Sequence, residues 1–160
     1  MRKLLAVGAA LLLVGGARMG GAGLALAQGA AVSVPADTII AARKAAFDLQ
    51  AGTVTGMKAD IDAGNDVKGF KDAAGALSAW GHSIPAMFPD GTQTGHETHA
   101  LPAVWSDRAG FQKAAENFWT QADKLAVLAD ADDKPGFAAQ YTLTTQACGA
   151  CHRNYRAKLN

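Results

Sequence analysis

Apolar residues recur along the chain at helical spacing in four segments, and β-branched residues nowhere gather into alternating runs. The first segment follows Pro35, a residue suited to the first turn of a helix. It sets Ile40, Phe47, Val54 and Ile61 seven apart, with Met57 three beyond Val54. That repeat is the seam of a helix bundle, and Ala63-Gly64 supplies its stop, because glycine takes the left-handed conformation at a helix end. The second segment carries Phe70, Ala73, Leu77, Trp80 and Ile84, and Pro85 stops it. The third opens at Ser106-Asp107, residue types that cap helix N-termini, and runs through Phe111, Ala115, Phe118, Ala122, Leu125 and Leu128. After an acidic turn of Asp130, Asp132 and Asp133, Pro135 starts a fourth helix with Phe137, Tyr141, Thr145, Cys148, His152 and Tyr155 along one side. The pattern predicts an all-α chain folded as an antiparallel four-helix bundle, an architecture that builds cofactor sites from side chains on facing helices. Between the second and third segments runs an irregular stretch from Pro85 to Pro102 that holds Pro89, Gly91 and Gly95. Loops longer than about 12 residues in a compact domain are usually functional or disordered, so this one is expected to cover something.

The N-terminal residues read differently. Arg2 and Lys3 form a positive start, Leu4 to Val14 an apolar run, and Ala25-Leu26-Ala27 a small-residue cleavage signal before Gln28. The apolar run is only about half of the roughly 20 residues a spanning helix needs, and Gly15, Gly16 and Arg18 break it. Residues 1–27 are therefore expected to be a cleaved signal peptide, and 28–160 a single domain exported to the periplasm, with no membrane attachment after cleavage. The chain has 15 Lys and Arg against 14 Asp and Glu; the leader takes Arg2, Lys3 and Arg18 and no acid, which leaves 12 against 14. A slightly acidic domain lacks the basic face that nucleic acid requires and the lysine stripe that an acidic membrane attracts.

The chemistry sits in Cys148-Gly149-Ala150-Cys151-His152, a C-x-x-C-H sequence that is the attachment signature of c-type haem. On a helix, thiols at i and i+3 share a face with an imidazole at i+4. Cys148 and Cys151 can then form thioethers to the haem vinyl groups while His152 coordinates the iron from the same side. Three other uses of the pair fit less well. A thioredoxin-like redox pair accompanies a βαβ pattern that is missing here. A structural zinc site wants four ligands, usually as two such pairs, and a plain disulfide has no need of the histidine. One covalent haem c per chain is the expected cofactor.

With these residues the chain resembles the class II c-type cytochromes, the cytochrome c′ family, in which the haem motif lies near the C-terminus of a four-helix bundle. The resemblance rests on Arg43-Lys44 with Phe47 on the first helix, the Phe88-Pro89-Asp90-Gly91-Thr92 loop, Pro102-x-x-Trp105-Ser106-Asp107, and C-x-x-C-H-x-x-Tyr-Arg from Cys148 to Arg156. It covers essentially the whole mature chain.

The resemblance implies roles for further residues. Low-spin relatives place a methionine on the first helix as sixth iron ligand, whereas cytochrome c′ has an apolar residue there and a five-coordinate, high-spin iron. No methionine or histidine occurs from Ala36 to Gly56, and Met57 lies ten residues past Phe47, about 15 Å along a helix. Phe47 is thus expected over the iron on its distal side. Arg43 points toward the same seam where an apolar residue would be expected, and a haem propionate is its expected partner, with Lys44 a further haem contact. Arg156, four positions after His152, is expected over the same helix face beside that imidazole. His82, His96 and His99 are expected to face solvent, and His96-Glu97-Thr98-His99 has one residue too few between its glutamate and second histidine for a zinc-protease signature.

Two functions follow from the resemblance: binding of nitric oxide or carbon monoxide at the iron, and one-electron exchange with a redox partner protein. The alternative is a low-spin electron carrier with a sixth ligand. An enzyme would want acid–base groups beside the bound ligand, and Phe47, Leu49 and Gln50 offer none, so no catalysis is expected. Small residues outside the seam, Ala42, Ala45, Gly52 and Gly56 on the first helix and Gly69 and Ala76 on the second, fit the homodimers common in the family.

Overall fold

The first helix, α1 (Ala36–Ala63), begins directly after Pro35 and ends where Gly64 turns left-handed at φ 69°. The structure, a computed structural model, describes residues 33–158; the expected leader lies outside them. After a single 3₁₀ turn, Lys68–Phe70, α2 spans Lys71–Ser83. Pro85 does not simply end that helix. The backbone tightens into another 3₁₀ turn, Ile84–Met87, because a proline in the first positions of a turn gives up an N–H that would have no partner anyway. One turn of helix, α3 (Ala103–Ser106), follows directly on the Pro85–Pro102 stretch. Two long helices complete the bundle: α4 (Arg108–Asp130) and α5 (Lys134–Tyr155).

Both late helices start on carboxylate caps. The Asp107 side chain accepts from the Gly110 N–H at 3.1 Å, and that of Asp133 accepts from the Gly136 N–H at 3.0 Å. Each cap satisfies one of the donors a helix start leaves open. No strand occurs among the described residues, only one isolated antiparallel bridge between Ala100 and Arg156.

The core lies mainly between α2, α4 and α5. Leu77, Phe111, Ala115, Phe118, Ala122, Leu125 and Phe137 are buried there. Close crossing of α2 and α4 depends on Gly81: a Cβ at that position would stand 2.7 Å from the Trp119 Cβ and 3.0 Å from the Phe118 ring. The first helix is packed differently. It touches α5 and the Ile84–Met87 turn only sparsely, while α4 packs along both α2 and α5. Of the expected seam, Ile40 and Met57 are buried, but Phe47, Val54 and Ile61 are only half-buried. Phe47 and Val54 pack against the core and also line a cavity.

Candidate haem-binding site

That cavity, about 480 Å³, is enclosed by α1 on one side, α4 and α5 on the other, and the 84–100 segment at one end. Its size falls within the roughly 300–1,000 Å³ of cofactor and ligand sites. Phe47 and Val54 come from α1, Phe88 from the loop, and Val104, Phe111 and Phe118 from the helices opposite. Thus the surface is mostly apolar, as a flat hydrophobic macrocycle requires.

The last turns of α5 bring Cys148, Cys151 and His152 to the cavity wall together. Both cysteines are free and half-buried. Burial pushes each thiol up to about 11, with the neighbouring Cys151 adding to the effect on Cys148. At neutral pH both are protonated, the opposite of the thiolate that a redox or metal-binding pair presents. Burial also lowers the His152 pKa, and the Arg156 charge lowers it further. A neutral imidazole is the form that ligates a metal. No cluster of three or more His, Cys, Asp or Glu suited to a metal ion occurs among the described residues. Two thiols and one imidazole on a single wall of an apolar slot fit a haem that brings its own iron.

Tyr155, one position before the end of the motif region, anchors this wall. Its hydroxyl donates to Asp107 Oδ2 at 2.8 Å, so the residue that caps α4 also holds the C-terminal turn of α5. Earlier on α5 the Tyr141 hydroxyl donates to the Val54 carbonyl at 3.1 Å and ties α5 to α1.

The distal candidate, Phe47, is fixed from behind. Its ring meets Trp80 edge to face, with centroids 5.6 Å apart and planes at 86°, and lies 6.4 Å from Phe88. Aromatic pairs at such distances hold one another in place.

Arg43 is 2% exposed and lines the cavity. Its four hydrogen bonds all reach the long connection: the Met87 carbonyl at 3.2 Å, the Thr92 hydroxyl at 2.8 Å, the Thr92 carbonyl at 2.9 Å and the Thr98 hydroxyl at 2.8 Å. The guanidinium also rests over the Phe88 ring at 4.2 Å. Burial lowers its pKa. The terminal N–H donors of the arginine for which a propionate was expected are thus met by neutral loop oxygens, which cover it while supplying no counter-charge. Sequence could not show this, because the partners lie 44 to 55 positions away.

Lys44 also lines the cavity and donates to the His96 carbonyl at 3.1 Å. His96 pairs with Asp37 at 2.7 Å, so three residues of α1 strap the loop. His82 and His96 are exposed as expected; His82 stacks on Trp119 at 4.4 Å. His99 is exposed too, yet it lines the cavity together with Thr98.

Arg156 stands at the C-cap of the helix that carries His152. The helix ends at Tyr155, and Arg156 is extended at φ −126°, ψ 133°. It pairs with Ala100 while Leu101 N–H donates to the Tyr155 carbonyl and Ala157 N–H to that of His99. The Arg156 N–H still donates to the His152 carbonyl at 3.2 Å, so the helical turn closes there before the backbone extends into the bridge. The side chain nonetheless lines the cavity and its charge is felt at His152.

Fold and site together define an all-α bundle built to carry covalently bound haem. The family model described as Cytochrome C' matches residues 38–156, and the chain belongs to that family. A cytochrome c' of Rhodocyclus tenuis is 31% identical over 128 residues, 76% of this chain and 96% of that protein. One from Rubrivivax gelatinosus is 42% identical over 71 residues, 44% of this chain, and the match spans only 55% of that relative's length. Among solved structures, the nitric oxide complex of a cytochrome c prime mutant from Alcaligenes xylosoxidans aligns with a TM-score of 0.72 at 27% identity, covering 80% of this chain and all of that one. Covalent c-type haem is accordingly the cofactor of this chain.

Proposed function

We propose that the chain is a periplasmic, diatomic-gas-binding haem protein whose iron is five-coordinate and high-spin, exported by residues 1–27 and folded as one domain over 28–160. The observation that carries this reading is the composition of the cavity wall. No methionine lines it: Met57, the nearest to Phe47 in sequence, is fully buried in the helical core instead. Apart from His152 the lining histidine is His99, exposed on the loop. On the α1 side the lining includes Phe47, which cannot ligate, beside Asp48, Ala51 and Val54.

Cys148 and Cys151 are assigned the two thioether bonds and His152 the axial position. When bound there, haem supplies an iron that takes up a diatomic ligand in its ferrous form and exchanges one electron. Phe47, backed by Trp80, narrows the space for an incoming ligand. Arg43, Lys44 and Arg156 put three positive charges on the lining, and the haem carboxylates are their counter-ions; Arg43 serves while still bonded to the loop. Nitric oxide and carbon monoxide are the assigned ligands, in line with the nitric oxide complex of the Alcaligenes relative. Electron exchange with a partner protein uses the same site, since exposed Arg156 and His99 bring its rim to the surface. Among the described residues no helix is long and apolar enough to cross a membrane.

The chain is further assigned as a homodimer through α1 and α2. Ala42, Ala45, Gly52, Gly56, Gly69 and Ala76 are all exposed, and Leu49 among them is 74% exposed. Among the described residues, a Cβ at Gly52 or Gly56 on α1, or at Gly69 in the 3₁₀ turn before α2, would meet nothing within 4 Å. Glycine inside a helix costs about 0.5–1 kcal/mol relative to alanine, so packing within one chain gives no reason for it, whereas close approach of a second copy does. The ferrous absorption spectrum, with and without carbon monoxide, tests the iron assignment.

A further inference from the structure

Trp80 stands behind Phe47 without reaching the cavity. The two rings meet edge to face, with centroids 5.6 Å apart and planes at 86°, and of the pair only Phe47 is on the lining. The indole Nε1 of Trp80 is buried and has no hydrogen-bond partner among the described residues. A buried tryptophan N–H ordinarily finds an acceptor, and a leucine or phenylalanine at position 80 would leave no donor unmet. The indole is therefore held here for its bulk, which bears on Phe47.

The helix that carries Trp80 has little freedom to yield. Its neighbours on α2 are fixed to α4: Ser78 Oγ donates to Asp123 Oδ1 at 2.6 Å, and the His82 ring stacks on Trp119 at 4.4 Å. At Gly81 the helices come so close that a Cβ would stand 2.7 Å from that of Trp119. By contrast, α1 touches α5 and the Ile84–Met87 turn only sparsely. Phe47 thus belongs to the wall with room to move, and Trp80 to the wall without it. Phe88, its centroid 6.4 Å from that of Phe47, stands on a second side of the ring.

A diatomic molecule approaching the iron face assigned above has to pass the Phe47 ring. That ring can make way only into space its neighbours leave. We infer that Trp80 is a positioning residue for gas binding: it is the stop behind Phe47, and its size sets how fast a ligand enters. This inference deepens the gas-binding assignment and rests on the distal place of Phe47. Because Trp80 does not line the cavity, it acts only through that ring.

The test is carbon monoxide association with the ferrous, haem-loaded protein, followed by flash photolysis in Trp80→Leu and Trp80→Ala, each made alone and combined with Phe47→Ala. With Phe47 in place, the smaller side chains should speed association about twofold to tenfold, the range an edge-to-face aromatic pair is worth as part of a barrier. In the Phe47→Ala background the same changes should leave the rate alone, because the group through which Trp80 acts is gone. The leucine variant keeps enough apolar volume to give the reading if the alanine variant does not fold. As a readout independent of gas binding, the Trp80 and Phe47 substitutions should be non-additive in denaturant unfolding. Unchanged association in the Trp80 variants, equal acceleration in both backgrounds, or additive unfolding losses would each overturn the role of Trp80 and leave the gas-binding assignment standing. Failure of the wild-type protein to bind carbon monoxide at all overturns both.

Discussion

Arg43 holds Thr92 through both terminal nitrogens of its guanidinium, 2.8 Å to the side-chain oxygen and 2.9 Å to the carbonyl. Thr92 is 1% exposed and its hydroxyl donates in turn to the Pro89 carbonyl at 2.8 Å. One α1 side chain thus fixes the loop that closes the end of the haem cavity, and the rim of the site is as ordered as this contact.

Arg43→Ala should therefore act on the loop before it acts on the haem. The substitution leaves the Thr92 and Met87 carbonyls without their donor, and hydrogen bonds to a charged group are worth roughly 1.5–3 kcal/mol each before relaxation. We expect a loss of about 2–4 kcal/mol in denaturant unfolding. Amide exchange across residues 87–98 should quicken well before the global transition. Unchanged protection in that segment would show that the loop is held by something other than Arg43.

Phe47→Ala should accelerate carbon monoxide binding to the ferrous protein, because the ring that Trp80 and Phe88 brace over the cavity is gone. Phe→Ala in a core costs about 3–5 kcal/mol, and the half-buried position of Phe47 places the loss near the lower figure. Flash photolysis on the folded variant gives the answer. Equal association rates would reduce Phe47 to packing alone.

Two glycines should respond in opposite directions to the same change. Gly81→Ala forces a Cβ to within 2.7 Å of that of Trp119 and should destabilise by about 1–3 kcal/mol through overpacking. Gly52→Ala meets open space and should stabilise the isolated chain by about 0.5–1 kcal/mol. If α1 forms the dimer interface, that second variant should also dissociate more readily, read by light scattering across a dilution series. A dimer of undiminished strength would put the interface elsewhere.

The extents of the long helices were legible because each signal was local: the seven-residue repeat from Ile40, the stop at Gly64, the cap at Asp107 and the proline at 135. The haem motif was legible for the same reason, its three groups lying within five consecutive residues. What escaped was set across the chain. The turn at Ile84–Met87 and the short α3 take their shape from the loop's return to the bundle. The partners of Arg43 lie beyond any helical spacing. Arg156 keeps its helical bond to the His152 carbonyl, but the bridge to Ala100, set across the chain, turns its backbone extended.

The ferrous absorption spectrum at neutral pH tests the central assignment most directly. With Phe47 facing the cavity and no methionine on its wall, the account predicts a broad Soret band, no sharp α-band, and a clear change when carbon monoxide is added. A sharp α-band that carbon monoxide leaves untouched would mean a protein side chain occupies the sixth position, and would contradict the open iron face.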